Sequence, residues 1–170
     1  MEEEIYNMSL IVKKSLRKFV KGAPTVVNFT DVKGGILEGS TNITFGQAVA
    51  YGSETGFYKP FASATAITEL AGICSLTNVK VPTTYPAEAN VETRPGEAFN
   101  VLVNGYVAVA LAATAVKADI KEGAKVSINL TTGEFTTSSD AAGTALANTY
   151  FTGEYEEVGT TILAEIIFNK

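Results

Sequence analysis

Apolar and polar side chains alternate along most of this chain, and a repeat of two residues predicts β-strands. In the clearest segment the apolar residues all fall on odd positions, at Phe99, Val101, Val103, Val107, Val109 and Leu111. Asn100 and Asn104 fall on the opposite face, so one side of this segment is predicted to be buried. The alanines that follow Tyr106 favour a helix by propensity alone. The valine alternation outweighs them and predicts one long strand, with a bend or bulge at Gly105.

Two shorter segments alternate in the same way towards the end of the chain. Residues 125–130 predict a half-buried strand, which a turn at residues 131–134 connects to a return strand at residues 135–137. The inward face of the closing strand is predicted at Ile162, Ala164, Ile166 and Phe168. We therefore expect an all-β fold, a small β-barrel or sandwich, over residues 23–170.

Glycine and proline predict the irregular segments. Gly34 and Gly35 are expected to form a tight turn between short strands. They do not form a phosphate-binding loop, because no Gly-Lys-Ser/Thr ending follows them. Residues 82–95 contain three prolines and little apolar periodicity, so a long exposed loop is predicted there.

A weak internal repeat relates two segments that lie 77 positions apart. Each segment contains a strand, a Thr-Gly turn and a second strand that opens on an aromatic residue. The matched residues are Ile43, Gly46, Val49, Thr55, Gly56 and Tyr58 in the first segment and Ile120, Gly123, Val126, Thr132, Gly133 and Phe135 in the second. Because β-hairpins draw on few residue types, both duplication and coincidence explain a match of this length.

Residues 2–21 differ from the rest, because their apolar positions recur at spacings of three and four. This spacing places one apolar stripe on a helix, formed by Ile5, Met8, Val12, Leu16 and Phe19. Three glutamates precede the stripe, and a basic cluster at its end matches the polarity of the helix dipole. The cluster consists of Lys13, Lys14, Arg17, Lys18 and Lys21. Gly22 and Pro24 are expected to end the helix, which divides the chain into an N-terminal amphipathic helix or docking arm, residues 1–22, and a β-barrel domain, residues 23–170.

The distribution of charge decides what this arm is expected to bind. Residues 1–22 carry five basic and three acidic groups, whereas the rest of the chain carries eight basic and fifteen acidic groups. Nucleic acid repels such an acidic body, so no nucleic-acid partner is expected. No apolar run approaches the roughly 20 residues of a transmembrane helix, and no membrane partner is expected. The arm is predicted to dock on a protein neighbour, or on its own acidic body, through Ile5, Met8, Val12, Leu16 and Phe19 with Lys13, Lys14, Arg17 and Lys18 beside them.

The composition argues against catalysis. The 170 residues include no histidine and no tryptophan, which removes Ser-His-Asp and Cys-His systems and the commonest zinc sites. Cys74 is the single cysteine, and its apolar surroundings predict a small core residue. A hydrolase with two carboxylates is a distant alternative, but Glu154, Glu156 and Glu157 have the pattern of a solvated strand end. We expect no catalytic residues, no metal and no cofactor, and a protein that works by binding.

Short motifs rich in glycine, alanine and valine follow one another from Ile43 to Phe168. They are Gly46-Gln47-Ala48-Val49, Gly56 with Tyr58, Leu70-Ala71-Gly72-Ile73, the strand Val101 to Val109, Lys121-Glu122-Gly123-Ala124-Lys125-Val126, Thr132-Gly133-Glu134-Phe135 and the closing strand Ile162 to Phe168. Over roughly three-quarters of the chain, this order resembles the small capsid cement, or decoration, proteins of tailed bacteriophages. Residues 148–153 depart from the family's usual Ile-Gly-Val-Ala strand, and the N-terminal arm lies outside its pattern.

The resemblance implies a small β-barrel that binds the outside of an icosahedral shell and stabilises it by clamping neighbouring subunits. It implies the major capsid protein as a partner and a closed homo-oligomer, with a trimer as the first expectation. The protein would be assembled in the host cytoplasm and located on the capsid exterior of the virion. In that setting we expect the arm to dock on a sister subunit or on the capsid, in preference to its own barrel.

A second interpretation is a phage head-fibre or tail adhesion module that binds host carbohydrate. Its candidates for ring stacking are Tyr51, Phe57, Tyr58, Phe61, Tyr85, Tyr150, Phe151 and Tyr155. The alternation of the strands places most of these rings in the core, and tryptophan, the best stacking residue, is absent. Capsid decoration is therefore the favoured hypothesis.

Overall fold

The computed structural model of the chain describes Phe19 and residues 21–61, 66–75 and 92–170. These residues form eleven strands and two short 3-10 helices, Ile67–Glu69 and Lys117–Asp119, which confirms the all-β prediction. In chain order the strands are β1 (Pro24–Leu37), β2 (Ile43–Thr44), β3 (Ala48–Tyr51), β4 (Phe57–Pro60), β5 (Leu70–Ser75), β6 (Glu92–Thr93), β7 (Ala98–Ala110), β8 (Lys125–Asn129), β9 (Phe135–Thr137), β10 (Gly143–Val158) and β11 (Thr161–Asn169). Within the described residues, no helix is long and apolar enough to cross a membrane.

The first half of the chain forms a closed five-stranded barrel, called barrel 1. Its strands follow the order β1-β4-β3-β5-β7, and β1 also pairs with β7, which closes the ring. The β1–β4 pair is parallel, with Leu37 opposite Tyr58, and the other pairs are antiparallel. Every strand contributes to the buried interior, for example through Val49, Cys74 and Val101. The prediction that Cys74 is a core residue is confirmed, since its side chain is fully buried.

The second half forms another ring, called barrel 2. Its strands follow the order β7-β11-β10-β8-β9, and a parallel bridge between Leu111 and Phe135 closes it. Its core includes Val126, Phe151 and Ile166. The same cluster includes Leu102 from barrel 1, so the two barrels pack on one another through a continuous apolar core.

Strand β7 belongs to both barrels. Its odd-numbered side chains up to Val103 lie in the core of barrel 1, and those from Val107 onwards lie in the core of barrel 2. Gly105 stands between the two groups with a φ of 136°, a backbone conformation that side chains rarely adopt. The pairing of β1 with β7 is irregular opposite Gly105, between Asn104 and Tyr106, and Gly105 marks the point where one strand passes from one core to the next.

The two barrels are structural repeats. In barrel 1, β3 pairs with β4 at Val49–Pro60, Ala50–Lys59 and Tyr51–Tyr58. In barrel 2, β8 pairs with β9 at Val126–Thr137, Ser127–Thr136 and Ile128–Phe135, which is the same register shifted by 77 positions. The turn glycines Gly56 and Gly133 both have positive φ, at 87° and 74°. A chance similarity between two hairpins would not be expected to keep all three residue pairs in the same register. The structure therefore favours duplication.

The correspondence continues beyond the hairpin. Gly46 N–H donates to the Cys74 carbonyl at 2.7 Å, and Gly123 N–H donates to the Phe151 carbonyl at 2.9 Å. Cys74 then pairs with Val101, 27 positions later, whereas Phe151 pairs with Ile166, 15 positions later. Barrel 2 therefore repeats barrel 1 with a shorter connection before its last strand.

Gly34 and Gly35 do not form the predicted turn, because both lie within the continuous strand β1. A Cβ atom on Gly35 would lie closer than 3.0 Å to the ring of Tyr58, whereas one on Gly34 would meet nothing within 4 Å. Gly35 thus serves a close approach between a strand and an aromatic ring inside the barrel. That contact joins residues distant in sequence, which is why the local pattern suggested a turn instead.

The predicted loop at residues 82–95 is described only from residue 92 onwards. There Glu92–Thr93 forms β6, which pairs with β2. Residues 82–91 lie outside the described residues, as does the N-terminal helix before Phe19. The division into an arm of residues 1–22 and a domain of residues 23–170 remains a prediction.

Candidate functional site

The structure places one of the nine predicted docking residues. The other eight, which are Ile5, Met8, Val12, Lys13, Lys14, Leu16, Arg17 and Lys18, lie outside the described residues. Phe19 is only 4% exposed. Its position shows where the arm joins the body.

Phe19 packs on its own chain, in a groove where β7 and β11 run side by side. It forms a small buried cluster with Ala108 and Leu163, and Val158 packs against that cluster. The backbone N–H of Phe19 donates to a carboxylate oxygen of Glu156 at 3.1 Å. We call this groove the seam. Phe19 therefore packs on its own body, one of the surfaces left open for the arm, and the docking of the rest of the stripe stays a prediction, because an apolar stripe in sequence does not specify which surface covers it.

The residues after Phe19 fasten the chain to both barrels. Gly22 N–H donates to the Ala108 carbonyl at 2.7 Å, and the Ser75 hydroxyl donates to the Gly22 carbonyl at 3.3 Å. A Cβ atom on Gly22 would lie closer than 3.0 Å to Phe45 and Gly46, and the φ of Gly22 is 74°. Only glycine fits where Gly22 passes so close to Phe45 and Gly46. The close contact and the two hydrogen bonds hold the root of the arm in one position on the body.

Lys21 is held in the same junction. Its ammonium donates to the Thr44 hydroxyl at 3.2 Å. Burial lowers the pKa of Lys21, and the nearby charge of Glu134 offsets part of that shift. Because the β8–β9 turn carries Glu134, the charge of Lys21 interacts with barrel 2 while its hydrogen bond is made to barrel 1.

The β10–β11 hairpin brings an acidic group beside the seam. Glu156 accepts the Phe19 N–H, and Glu157 forms an ion pair with Lys117 at 2.6 Å. Glu154 is exposed on the same hairpin. The acidic group therefore lies beside the point where the arm joins the body, and the basic residues Lys13, Lys14, Arg17 and Lys18 precede that point in sequence.

A second feature lies at the mouth of barrel 1, where sequence reasoning identified only Tyr51. A cavity of about 310 Å³ there is lined by Asp31, Lys33, Tyr51, Asn104 and Lys170, among others. The ammonium of Lys170 lies 3.8 Å from the centre of the Tyr51 ring, within cation–π range, and hydrogen-bonds the hydroxyl of Tyr51. No local motif signals this arrangement, because the contact joins residues 119 positions apart.

The aromatic side chains do not form a flat platform for sugar rings in the described residues. Tyr58, Phe61 and Phe151 are buried, as their strand positions predicted. Tyr51 and Tyr155 are exposed by 49% and 40%, but they belong to different barrels. Tyr85 lies outside the described residues.

The carboxylate of Asp140 serves a turn. Asp140 accepts hydrogen bonds from the hydroxyls of Thr114 and Thr136 at 2.7 and 3.0 Å and from the N–H of Ala142 at 3.0 Å. These bonds, that of Thr114 first, hold the pKa of Asp140 below its usual value. A low pKa keeps the group charged, which suits a structural acceptor and not a general acid.

Comparison with known proteins adds a family and a fold. The family described as structural cement protein (E217 gp24/Pam3 gp6) matches residues 11–167. No curated protein matches the chain. Among solved structures, a chain from "The capsid of Myoviridae Phage XM1" is similar with a TM-score of 0.60 and 16% sequence identity, over 92% of this chain and 96% of that chain. At this identity the likeness shows a shared fold.

Proposed function

Because this chain belongs to the family of phage structural cement proteins, we propose that it binds the outside of an icosahedral capsid and clamps neighbouring subunits. As a member, it is a structural protein of the virion that binds the capsid and stabilises it. The family match over residues 11–167 is the observation that carries this proposal. The major capsid protein is the partner, and several copies of the chain form a homo-oligomer assembled in the host cytoplasm.

The two-barrel architecture supports a clamping role. The barrels share β7 and pack on one another through an apolar cluster, so they form one body with a barrel at each end. A rigid body that contacts two subunits gains affinity from the second contact without new chemistry, because the first contact raises its effective concentration. The protein acts without turnover and needs no catalytic group, nucleic acid or membrane.

The arm supplies a second point of attachment. Phe19 and Gly22 fix its root at the seam, next to Glu156. From this root, residues 1–18 carry Ile5, Met8, Val12 and Leu16 as an apolar stripe, with the basic residues Lys13, Lys14, Arg17 and Lys18 beside it. Burial of such a stripe is favourable by about 25 cal/mol per Å², and the proposed covering surface is the capsid or a sister subunit.

The proposal is tested with capsids that lack the protein. Purified protein should bind to them until the sites are saturated and raise their melting temperature, because it binds the assembled shell and not the separated subunits. A matched variant without residues 1–18, which keeps Phe19 and Gly22, should bind more weakly. Absence of capsid binding by the full chain, or a melting temperature that does not change, would contradict the proposal.

Carbohydrate adhesion is the second candidate, and one observation favours it. Tyr51 is 49% exposed at the mouth of barrel 1, beside a cavity that also carries Asp31, Lys33 and Lys170. An exposed ring beside hydrogen-bonding groups is the usual arrangement of a sugar subsite. A glycan array tests this candidate. A strong signal that Tyr51→Ala abolishes, together with no capsid binding, would favour adhesion over the cement function.

A further inference from the structure

The outer face of barrel 2 carries a row of aromatic and apolar side chains that crosses three neighbouring strands. Tyr106 on β7 pairs with Ile167 on β11, and Ile167 pairs with Tyr150 on β10. All three residues are half-buried. The next residue along the strand is a core residue in each case, for example Val107 and Phe151, and alternate side chains of a strand point to opposite faces. The three residues therefore lie together on the outside of the sheet, and we call them the aromatic row.

Two cavities border the aromatic row. One, of about 420 Å³, is lined by all three members of the row together with Glu122 and Glu165, among others. The other, of about 320 Å³, is lined by Tyr106 and Ile167 together with Asn104, among others. Aromatic and aliphatic side chains beside cavities of this size form an apolar surface that a further segment of protein can cover.

The arm already uses the neighbouring part of this face. Phe19 packs on Ala108 and Leu163, which lie two positions from Tyr106 along β7 and four positions from Ile167 along β11. Phe19 is the last member of the apolar stripe of the arm, so one member of the stripe is buried against the outer face of β7 and β11. The stripe members that precede Phe19, and that lie outside the described residues, are Ile5, Met8, Val12 and Leu16.

We propose that the aromatic row binds the arm of a second copy of this chain. The apolar stripe of that arm covers the row, and its basic residues lie beside Glu122 and Glu165. The inference rests on the proposed docking of the arm and narrows the covering surface to one face of a sister subunit. Each copy supplies one arm and accepts another, which fits a closed dimer as well as the expected trimer. On a capsid, arms exchanged in this way join neighbouring copies, and avidity adds their contacts to the stability of the shell.

The charge around the row is complementary to the arm. Glu122 and Glu165 line the larger cavity, whereas Lys125 stands at the end of the row, where it pairs with Tyr150 and lies 5.7 Å from the centre of the ring. An apolar row with carboxylates beside it suits a segment that carries basic residues beside an apolar stripe. The basic residues within residues 1–18 of the arm are Lys13, Lys14, Arg17 and Lys18.

The direction of the chain favours the arm of another copy over the arm of the same copy. Val26 pairs with Tyr106, and the Gly22 N–H donates to the Ala108 carbonyl at 2.7 Å. From Val26 back to Gly22 and then Phe19, the chain therefore runs away from the aromatic row and towards the seam. The arm of the same copy would have to reverse its direction to reach the row, whereas the arm of a sister subunit approaches from outside and needs no reversal.

A mixture of two defective variants tests the proposal in solution. By sedimentation, the wild type should form a concentration-dependent oligomer. A chain without residues 1–18, which keeps Phe19, should be monomeric at the same concentrations, as should the full chain with both Tyr106→Ala and Tyr150→Ala. Mixed together, the two variants should form a one-to-one complex that grows no further, because one supplies only the intact row and the other only the arm. A wild type that stays monomeric, an oligomer that persists without the arm, or a mixture that forms no complex would each overturn the proposal.

Single substitutions in the full chain locate the contact. Tyr150→Ala should weaken the oligomer about tenfold. Tyr155→Ala is the matched control and should leave the oligomer unchanged, since this ring is 40% exposed on the same strand but lines neither cavity. Glu165→Lys should also weaken the oligomer, because a lysine there repels the basic residues of the arm, and Glu165→Gln should weaken it less.

Circular dichroism verifies that each variant remains folded, and the Glu165 variants test the same surface without removing a ring. Equal weakening by Tyr150→Ala and Tyr155→Ala, or an oligomer that Glu165→Lys leaves unchanged, would contradict binding at the row. No capsid enters these experiments, so their failure leaves the capsid-binding proposal standing. Failure of capsid binding would in turn leave an oligomer joined through the arm and the row unaffected.

Discussion

Barrel 1 and barrel 2 have the same strand connections, but different residues lie beside the first strand of each barrel. In barrel 2 the edge of β7 is completed by Gly22 and Ala23 and by the first residues of β1. In barrel 1 the corresponding edge of β1 has no such segment among the described residues. The two barrels therefore share their strand connections but differ, within the described residues, in what lies beside the first strand of each.

The barrels also differ in their connections. Barrel 1 places 27 positions between the paired residues Cys74 and Val101, against 15 between Phe151 and Ile166 in barrel 2. Barrel 1 also carries the Tyr51 and Lys170 contact at its mouth. The shared register preserves the fold of both units, whereas the longer connection and the Tyr51–Lys170 contact belong to barrel 1 and the seam with Phe19 belongs to barrel 2.

The largest expected effect comes from turn glycines at equivalent positions. Gly133 has a φ of 74°, and a Cβ there would lie closer than 3.0 Å to the Phe61 carbonyl, at the contact between the barrels. Gly56 has a φ of 87°, but a Cβ there would meet nothing within 4 Å. Gly133→Ala should cost about 4 kcal/mol of unfolding free energy, since strain and overlap add, and Gly56→Ala about 1 kcal/mol. Denaturant unfolding measures both, and equal costs would show that the barrels do not press on each other there.

The next prediction compares the loss of the Phe19 side chain at the root of the arm with the deletion of the arm itself, residues 1–18. Phe19→Ala should lower the unfolding free energy by about 3 kcal/mol, because it empties the cluster with Ala108 and Leu163. Deleting residues 1–18 keeps that cluster, so the truncated protein should stay folded with nearly unchanged stability while its capsid affinity falls. If the deletion destabilises the body as much as Phe19→Ala does, the arm belongs to the core and is not a docking element.

Much of this fold could be predicted from local patterns, and the failures have physical causes. The alternation at Val101 and Val109 identified an inward face, but alternation does not say which strands pair, so two barrels sharing β7 were not foreseen. The Thr-Gly match at Gly56 and Gly133 was a true repeat that sequence alone left undecided. The prediction of a turn at Gly34 was wrong. The glycine at position 35 is required by the ring of Tyr58, which lies on a strand distant in sequence and leaves no room for a side chain.

The candidate site was less accessible to sequence analysis. The apolar stripe ending at Phe19 predicted a buried face, and Phe19 is indeed buried, but against Leu163 of its own chain. Burial follows from hydrophobicity, whereas the identity of the covering surface follows from the tertiary fold.

A smaller effect tests why barrel 1 has adjacent glycines in its first strand. Gly35→Ala should lower the unfolding free energy by about 2 kcal/mol, because the new methyl group overlaps the Tyr58 ring. Gly34→Ala, one residue away where a Cβ atom would meet nothing within 4 Å, should change the unfolding free energy by less than about 0.5 kcal/mol. Val109 occupies the place of Gly35 in barrel 2, so the requirement for glycine is special to barrel 1. Urea unfolding measures both changes. Equal losses of unfolding free energy would mean that the Tyr58 ring does not lie against Gly35.

The smallest expected effect compares one carboxylate in each barrel as the pH falls. Asp140 of barrel 2 accepts three hydrogen bonds that lower its pKa, whereas the pKa of Glu38 in barrel 1 is lowered mainly by the N–H of Ser53, which it accepts at 2.7 Å. A folded-state pKa below the unfolded value of about 4 contributes stability above that pH, which is lost as the pH falls through the folded pKa.

Asp140→Asn should therefore lower the melting temperature at pH 7 by more than Glu38→Gln does, because more hydrogen bonds to the charged form are lost. Both differences from the wild type should shrink as the pH falls below about 4 and through the lowered folded-state pKa values, because the wild-type carboxyls then also become protonated. Thermal unfolding followed by circular dichroism between pH 3 and pH 7 measures this convergence. A deficit of Asp140→Asn that persists unchanged at pH 3 would mean that the shape of the side chain, and not its charge, holds Thr114 and Thr136 together.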